Sequence, residues 1–249
     1  MPGANRPRRN LPETGYSAGP AVAEARPAGA GLLYDARRGV YYTKPVLRGW
    51  LHLLCFWAAI AGGALLLSRA HGTAPVTAVA VYSASLIALF GTSALYHRGT
   101  WNAAWRLRLR NLDQAMIFFL IAGTATPAFL LAAPAAAGVA CLIVMWALTL
   151  AAVAVRLVWA SAPEFVAGAL FVGLGCAGGL ALPWIWIHGG VASGVLVLAG
   201  GVLYIAGALS YHHRWPDPYP SVFGYHEAFH VYVCAAAVCQ YAAIAHLIG

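Results

Sequence analysis

Seven long apolar runs, separated by short polar stretches, dominate the chain: roughly residues 48–68, 74–97, 112–133, 135–155, 165–187, 190–211 and 225–248. An α-helix needs about 20 mostly apolar residues to cross a bilayer, and each run meets that length. None shows the period-two alternation of a membrane β-barrel strand. The pattern predicts an all-α, seven-transmembrane helical bundle over residues 46–249. Glycines scattered through the runs suit the close helix packing found in lipid. Composition agrees, since 61% hydrophobic and 9% charged residues are far from the balance of a soluble domain.

The first 45 residues differ in kind. The stretch "MPGANRPRRNLPETGYSAGPAVAEARPAGAG" is rich in Pro, Gly, Ala and Arg and has no apolar centre. It reads as neither signal peptide nor core, so disorder is expected to about residue 30. The following "LLYDARRGVYYTKPVLRGW" reads as a juxtamembrane segment with basic and aromatic residues at the interface.

A formal charge of +8 raises the question of nucleic acid, and its distribution answers it. With the N-terminus in the cytoplasm, eight Lys and Arg of the tail lie inside. So do Arg98, Arg106, Arg108 and Arg110 between the second and third runs, and then Arg156 and Arg214. Only Arg69 falls outside. The positive-inside rule therefore predicts N-terminus in, C-terminus out. The partner of the charge is then anionic inner-leaflet lipid rather than nucleic acid. Five cysteines (Cys55, Cys141, Cys176, Cys234 and Cys239) all sit in apolar runs without a CxxC pair, and read as small hydrophobes, neither disulfide-bonded nor metal-bound.

Polar side chains at membrane depth are costly and mark function. In "SALYH", Ser93 and His97 share a helical face near the cytoplasmic end of the second run. Asp113 is expected in the first turn of the third helix, and His226, Glu227 and His230 in the first two turns of the seventh. All converge at one depth. The HExxH spelling at 226–230 gives two imidazoles on one face, a zinc-ligand spacing. Too little chain follows for a third ligand downstream, which makes His97 the best-placed third. Three histidines leave zinc a fourth position for water, the catalytic pattern. Asp113 is the preferred base or water partner and Glu227 the alternative, unless Glu227 only complements its helix dipole. Ser93 either orients a ligand, stabilises an oxyanion, or bonds its own helix backbone. His52, His71, His188, His212, His213 and His246 read as structural or interfacial.

The set "SALYHR", "LDQAMIFFLIAGTATP" and "PYPSVFGYHEAFHVYV", in this order on seven helices, resembles the hemolysin III family over roughly residues 44–248. That family is the bacterial branch of the progestin and adiponectin receptor (PAQR) superfamily. The resemblance implies a cytoplasmic N-terminus and zinc near the cytoplasmic face, held at His97, His226 and His230, with Asp113 contacting its water and Ser93 beside it. It also implies kinship with ceramide-hydrolysing membrane proteins. Gln114 stands where many bacterial members have histidine, and Ala125 where tyrosine is common. Receptor members can carry a neutral residue at the position of Glu227, which argues against a required base there.

The leading expectation is a zinc-dependent membrane hydrolase of a lipid amide or ester, ceramidase-like, with an apolar crevice for the acyl chain. The alternative is a non-enzymatic, zinc-stabilised receptor or regulator. An intramembrane protease fits poorly with a third ligand upstream. A pore fits poorly with polar groups gathered at one end.

Overall fold

The computed structural model describes residues 32–35, 40–159 and 164–249. The chain divides into two compact units, Met1–Thr43 and Lys44–Gly249. In the first, β1 (Leu32–Asp35) pairs antiparallel with β2 (Val40–Thr43), Leu32 opposite Thr43 and Asp35 opposite Val40. The expected juxtamembrane segment thus contains a hairpin, consistent with its Val, Tyr and Thr content. The disorder expected up to residue 30 lies outside the described residues.

The second unit is helical: α1 (Trp50–Arg69), α2 (Thr73–Arg98), α3 (Ala103–Pro127), α4 (Ala135–Val158), α5 (Glu164–Gly179), α6 (Leu182–His188), α7 (Gly190–His213) and α8 (Tyr225–Leu247). With α5 and α6 taken together from Val166, seven segments are long and apolar enough to cross a membrane. The seven-helix bundle expected from the apolar pattern is the fold observed.

Two boundaries differ from the sequence expectation. The third helix begins at Ala103, not near 112, because Asn102 caps it: the Asn102 Oδ1 accepts the Trp105 N–H at 2.9 Å. Running on through a π-turn at Ala128–Ala132, the segment is 30 residues long, about 45 Å at 1.5 Å per residue. That exceeds a hydrocarbon core of about 30 Å, so its first turns, with Arg106, Arg108 and Arg110 exposed, project beyond the apolar layer. Asp113 is therefore in the third turn rather than the first. The fifth run is also interrupted at Leu180–Ala181, just before Pro183, whose missing N–H suits a helix start.

Burial separates the helices by role. In the spanning windows, 56% of α2, 61% of the α3 segment and 44% of α8 are buried, against 22% or less for every other span. The outer spans present large apolar side chains such as Trp57, Ile143 and Leu198 to their surroundings. One packed cluster joins α1, α2 and α8 through Leu66, Tyr82, Phe90 and Val233. A second joins α3 to α4, α5 and α6 through Phe118, Phe129, Met145 and Ile185. Gly123 lets α3 close on α2; a Cβ there would stand 2.1 Å from the Ser85 Oγ.

The chain segments leading into α1 and α8 are tied together, with Val46 N–H donating to Ser221 O and Leu47 N–H to Val222 O, both at 3.1 Å. From there the two helices run parallel in a heptad register. Arg48 meets Glu227, Cys55 meets Cys234 with unlinked sulfurs 3.0 Å apart, and the Tyr241 hydroxyl donates to Gly62 O at 3.0 Å. Each pair lies 179 residues apart in sequence and the steps along each helix are seven. A seven-residue recurrence is the signature of helices packed along one seam.

Two outcomes are expected. Gly123→Val should cost about 1–3 kcal/mol through overpacking, read as a lower melting temperature in detergent; an unchanged melt would refute the α2–α3 approach. Arg48→Met should cost roughly 3–5 kcal/mol, because it leaves a buried carboxylate unpaired. Arg48→Met combined with Glu227→Met should recover most of that loss. Wild-type stability of the single variant would show that the pair does not form.

Candidate metal centre

The site lies at the end of the bundle where α2 finishes and α1, α3 and α8 begin. Helix α8 offers His226 and His230 one turn apart on one face. Helix α2 contributes His97 from its last turn. Gly49, just before α1, abuts that turn: its φ is +81°, and a Cβ there would sit 2.7 Å from the His97 Cβ. Glycine alone meets both demands without strain, so α1 can begin hard against the end of α2.

The three imidazoles meet. His97 Nε2 and His226 Nε2 are 3.1 Å apart, and one ring nitrogen from each of His97, His226 and His230 lies within 4.8 Å of the others. His97 and His230 are buried, at 6% and 2% exposure, and His226 is half-buried. Tetrahedral ligands at about 2.0–2.1 Å from zinc stand about 3.3 Å from one another. The donor set therefore fits a divalent ion of borderline softness after small ring movements: three neutral imidazoles, close together and shielded from water. Among the described residues this is the group of His, Cys, Asp and Glu side chains whose geometry could hold a metal.

Asp113 stands beside them, its Oδ2 3.8 Å from His97 Nε2. The position follows from the early start of α3. About ten residues, or about 15 Å, of helix precede Asp113, which brings it level with the end of α2. Ser93 is one turn before His97 and only 2% exposed. Its hydroxyl is 2.8 Å from the His52 Nδ1, within hydrogen-bond distance. The structure thus gathers His97, His226, His230, Asp113 and Ser93 into one site.

Glu227 is placed differently. Its side chain is buried and turned onto Arg48, with the Arg48 Nε–H donating to Oε1. The other oxygen accepts the Gly224 N–H at 2.9 Å, capping α8. Both oxygens are committed to holding the start of α8, and the residue is not a solvent-facing carboxylate. The neighbouring Asp217 Oδ1 accepts the Tyr225 N–H at 3.0 Å at the same helix end.

Two residues of this region were not singled out by sequence reasoning. Arg48 is one basic residue among many in the tail, and nothing in its spelling marks the one that turns inward. His52 was read as structural, yet it is 3% exposed, stacks on His230 with ring centroids 3.7 Å apart at 13°, and bonds Ser93. A signal for it existed: it is a histidine three residues into an apolar helix that starts at the site's own depth. By contrast His71, His212 and His213 are exposed.

A sequence model of the haemolysin-III related family matches residues 40–241, a stretch that includes every residue of this site, and the chain is a multi-pass membrane protein belonging to that family.

Proposed function

We propose that this protein is a zinc-containing membrane hydrolase that cleaves a lipid amide or ester at the cytoplasmic face, in the manner of the ceramidase-like members of the PAQR group. The observation that carries the reading is the convergence of His97, His226 and His230 within 4.8 Å, with the Asp113 carboxylate 3.8 Å from His97. His97, His226 and His230 would hold the metal. When bound, zinc supplies a Lewis acid for a carbonyl and lowers the pKa of water to about 7.

The remaining work belongs to the chain. Asp113 is the base: a carboxylate beside the histidines that takes a proton from attacking water and returns it to the leaving amine or alcohol. Burial of His97, Ser93 and His230 excludes bulk water from one side of the centre. Glu227 serves the site by anchoring α8 through Arg48 and Gly224.

The cytoplasmic orientation rests on the Lys and Arg distribution. Lys44 adds local support. Burial, together with Arg48, Arg98 and Arg106, holds its ammonium below the ordinary lysine value. Cations packed that closely favour an anionic lipid headgroup beside the site.

A second reading is a zinc-stabilised receptor or regulator without turnover. One observation favours it. An open apolar groove of about 210 Å³ is lined by Phe129, Cys141, Met145 and Leu180, about 24 Å along α3 from Asp113.

Elemental analysis of detergent-purified protein should give one zinc per chain, lost in His97→Ala, His226→Ala and His230→Ala. Asp113→Asn should keep the metal and lower lipid-amide turnover by about 10²–10⁴-fold, the usual share of a general base. Turnover surviving in the metal-free protein would sink the hydrolase reading. One zinc per chain without turnover on any lipid amide or ester, and a large loss of stability on chelation, would favour the receptor.

A further inference from the structure

His52 is enclosed by the site without belonging to its ligand set. Its ring lies flat on His230, centroids 3.7 Å apart and planes at 13°, with Phe90 edge-on at 5.0 Å. Its Nδ1 is 2.8 Å from the Ser93 Oγ, and its Nε2 is buried without a hydrogen-bond partner. Its ring nitrogens fall outside the group of three that can share a metal. So α1 sends one aromatic ring between α2 and α8, touching a metal-ligand histidine through its face and the Ser93 hydroxyl through its edge.

The chemistry of these contacts is directional. A neutral imidazole carries one N–H. Of the two His52 ring nitrogens, Nδ1 has the Ser93 hydroxyl as partner and Nε2 is buried with none. The Nδ1–H tautomer donates that proton to the Ser93 Oγ, whereas the other would bury an unpaired Nε2–H. The face contact acts separately. An imidazole binds a metal through a lone pair in its ring plane, so turning His230 about its Cβ–Cγ bond would swing that lone pair off the ion. The flat ring of His52 at stacking distance blocks this rotation.

We infer that His52 is a positioning residue of the metal centre, fixing the plane of His230 by its face and holding the Ser93 hydroxyl as a hydrogen-bond acceptor by its Nδ1–H. The inference rests on the metal-site reading but not on any particular substrate.

Three variants of the full-length chain in detergent separate the two contacts. Zinc affinity is measured by competition with a chromophoric chelator, and the His52 tautomer by ¹⁵N spectra of histidine-labelled protein, assigned by the loss of a signal in His52→Phe. Residues that orient metal ligands are typically worth 10–100-fold in affinity. His52→Ala should therefore bind zinc about 10- to 100-fold more weakly. His52→Phe keeps a flat ring and should bind as wild type. His52→Asn keeps a donor near the Nδ1 position but no ring, and should bind as weakly as His52→Ala. In wild type the His52 signal should be that of the Nδ1–H form, altered by Ser93→Ala.

Wild-type affinity in His52→Ala, or equal weakness in His52→Phe and His52→Ala, would overturn the role of the ring face. An Nε2–H tautomer, or a spectrum unmoved by Ser93→Ala, would overturn the hold of His52 on Ser93. Should wild-type protein hold no zinc, the hydrolase reading fails on its own, and the tautomer alone decides for or against His52.

Discussion

A guanidinium and a carboxylate, both withdrawn from water, hold the working end of this bundle together. Arg48 and Glu227 are 8% and 3% exposed, and Glu227 spends its second oxygen on the first free N–H of α8. A pair like this contributes little net stability compared with apolar replacements, but it penalises every arrangement that separates its partners. Its effect is therefore one of register. With residues 48 and 227 opposed, the parallel seam brings Cys55 against Cys234 and Gly62 against Tyr241. The same register places His52 flat against His230. The geometry of the histidine cluster is thus set partly by a salt link one turn away from it.

The histidines depend on that register because they come from helices distant in sequence. His97 ends α2 while His226 and His230 open α8, and α1 lies along both. Gly49 permits α1 to start in contact with the last turn of α2, and Gly123 lets α3 close on α2, the helix whose His97 stands beside Asp113. In lipid, where apolar burial does not drive helices together, such close approaches and a few polar links carry the specificity of packing. The three most buried spans are those that carry the three histidines and the aspartate. This is the ordering expected if the site is the interior and the other helices are its jacket.

HExxH draws attention to its glutamate, since in soluble metalloproteases that residue is a base. Here the glutamate is turned to Arg48 and Gly224, while the aspartate from a different helix stands near the histidines. A motif of five residues states which side chains share a face of a helix. It does not state what lies opposite that face.

Much of the protein was legible without its structure. Seven apolar runs of bilayer length can do little in water but associate or insert, so the seven-helix fold followed from hydropathy. The i, i+4 spacing of His226 and His230 is a property of any helix, and the cost of polar groups in lipid singled out Ser93, His97 and Asp113. What the spelling could not carry was anything decided between helices. The start of α3 moved because Asn102 captured a backbone N–H and two charged turns could extend past the membrane. Which of fifteen cations turns inward, which carboxylate is occupied, and which of nine histidines lies against the cluster of three depended on neighbours more than forty residues away. Local sequence sets periodicity and depth. Pairing across helices is set by packing, and only the assembled bundle brings His52 against both Ser93 and His230.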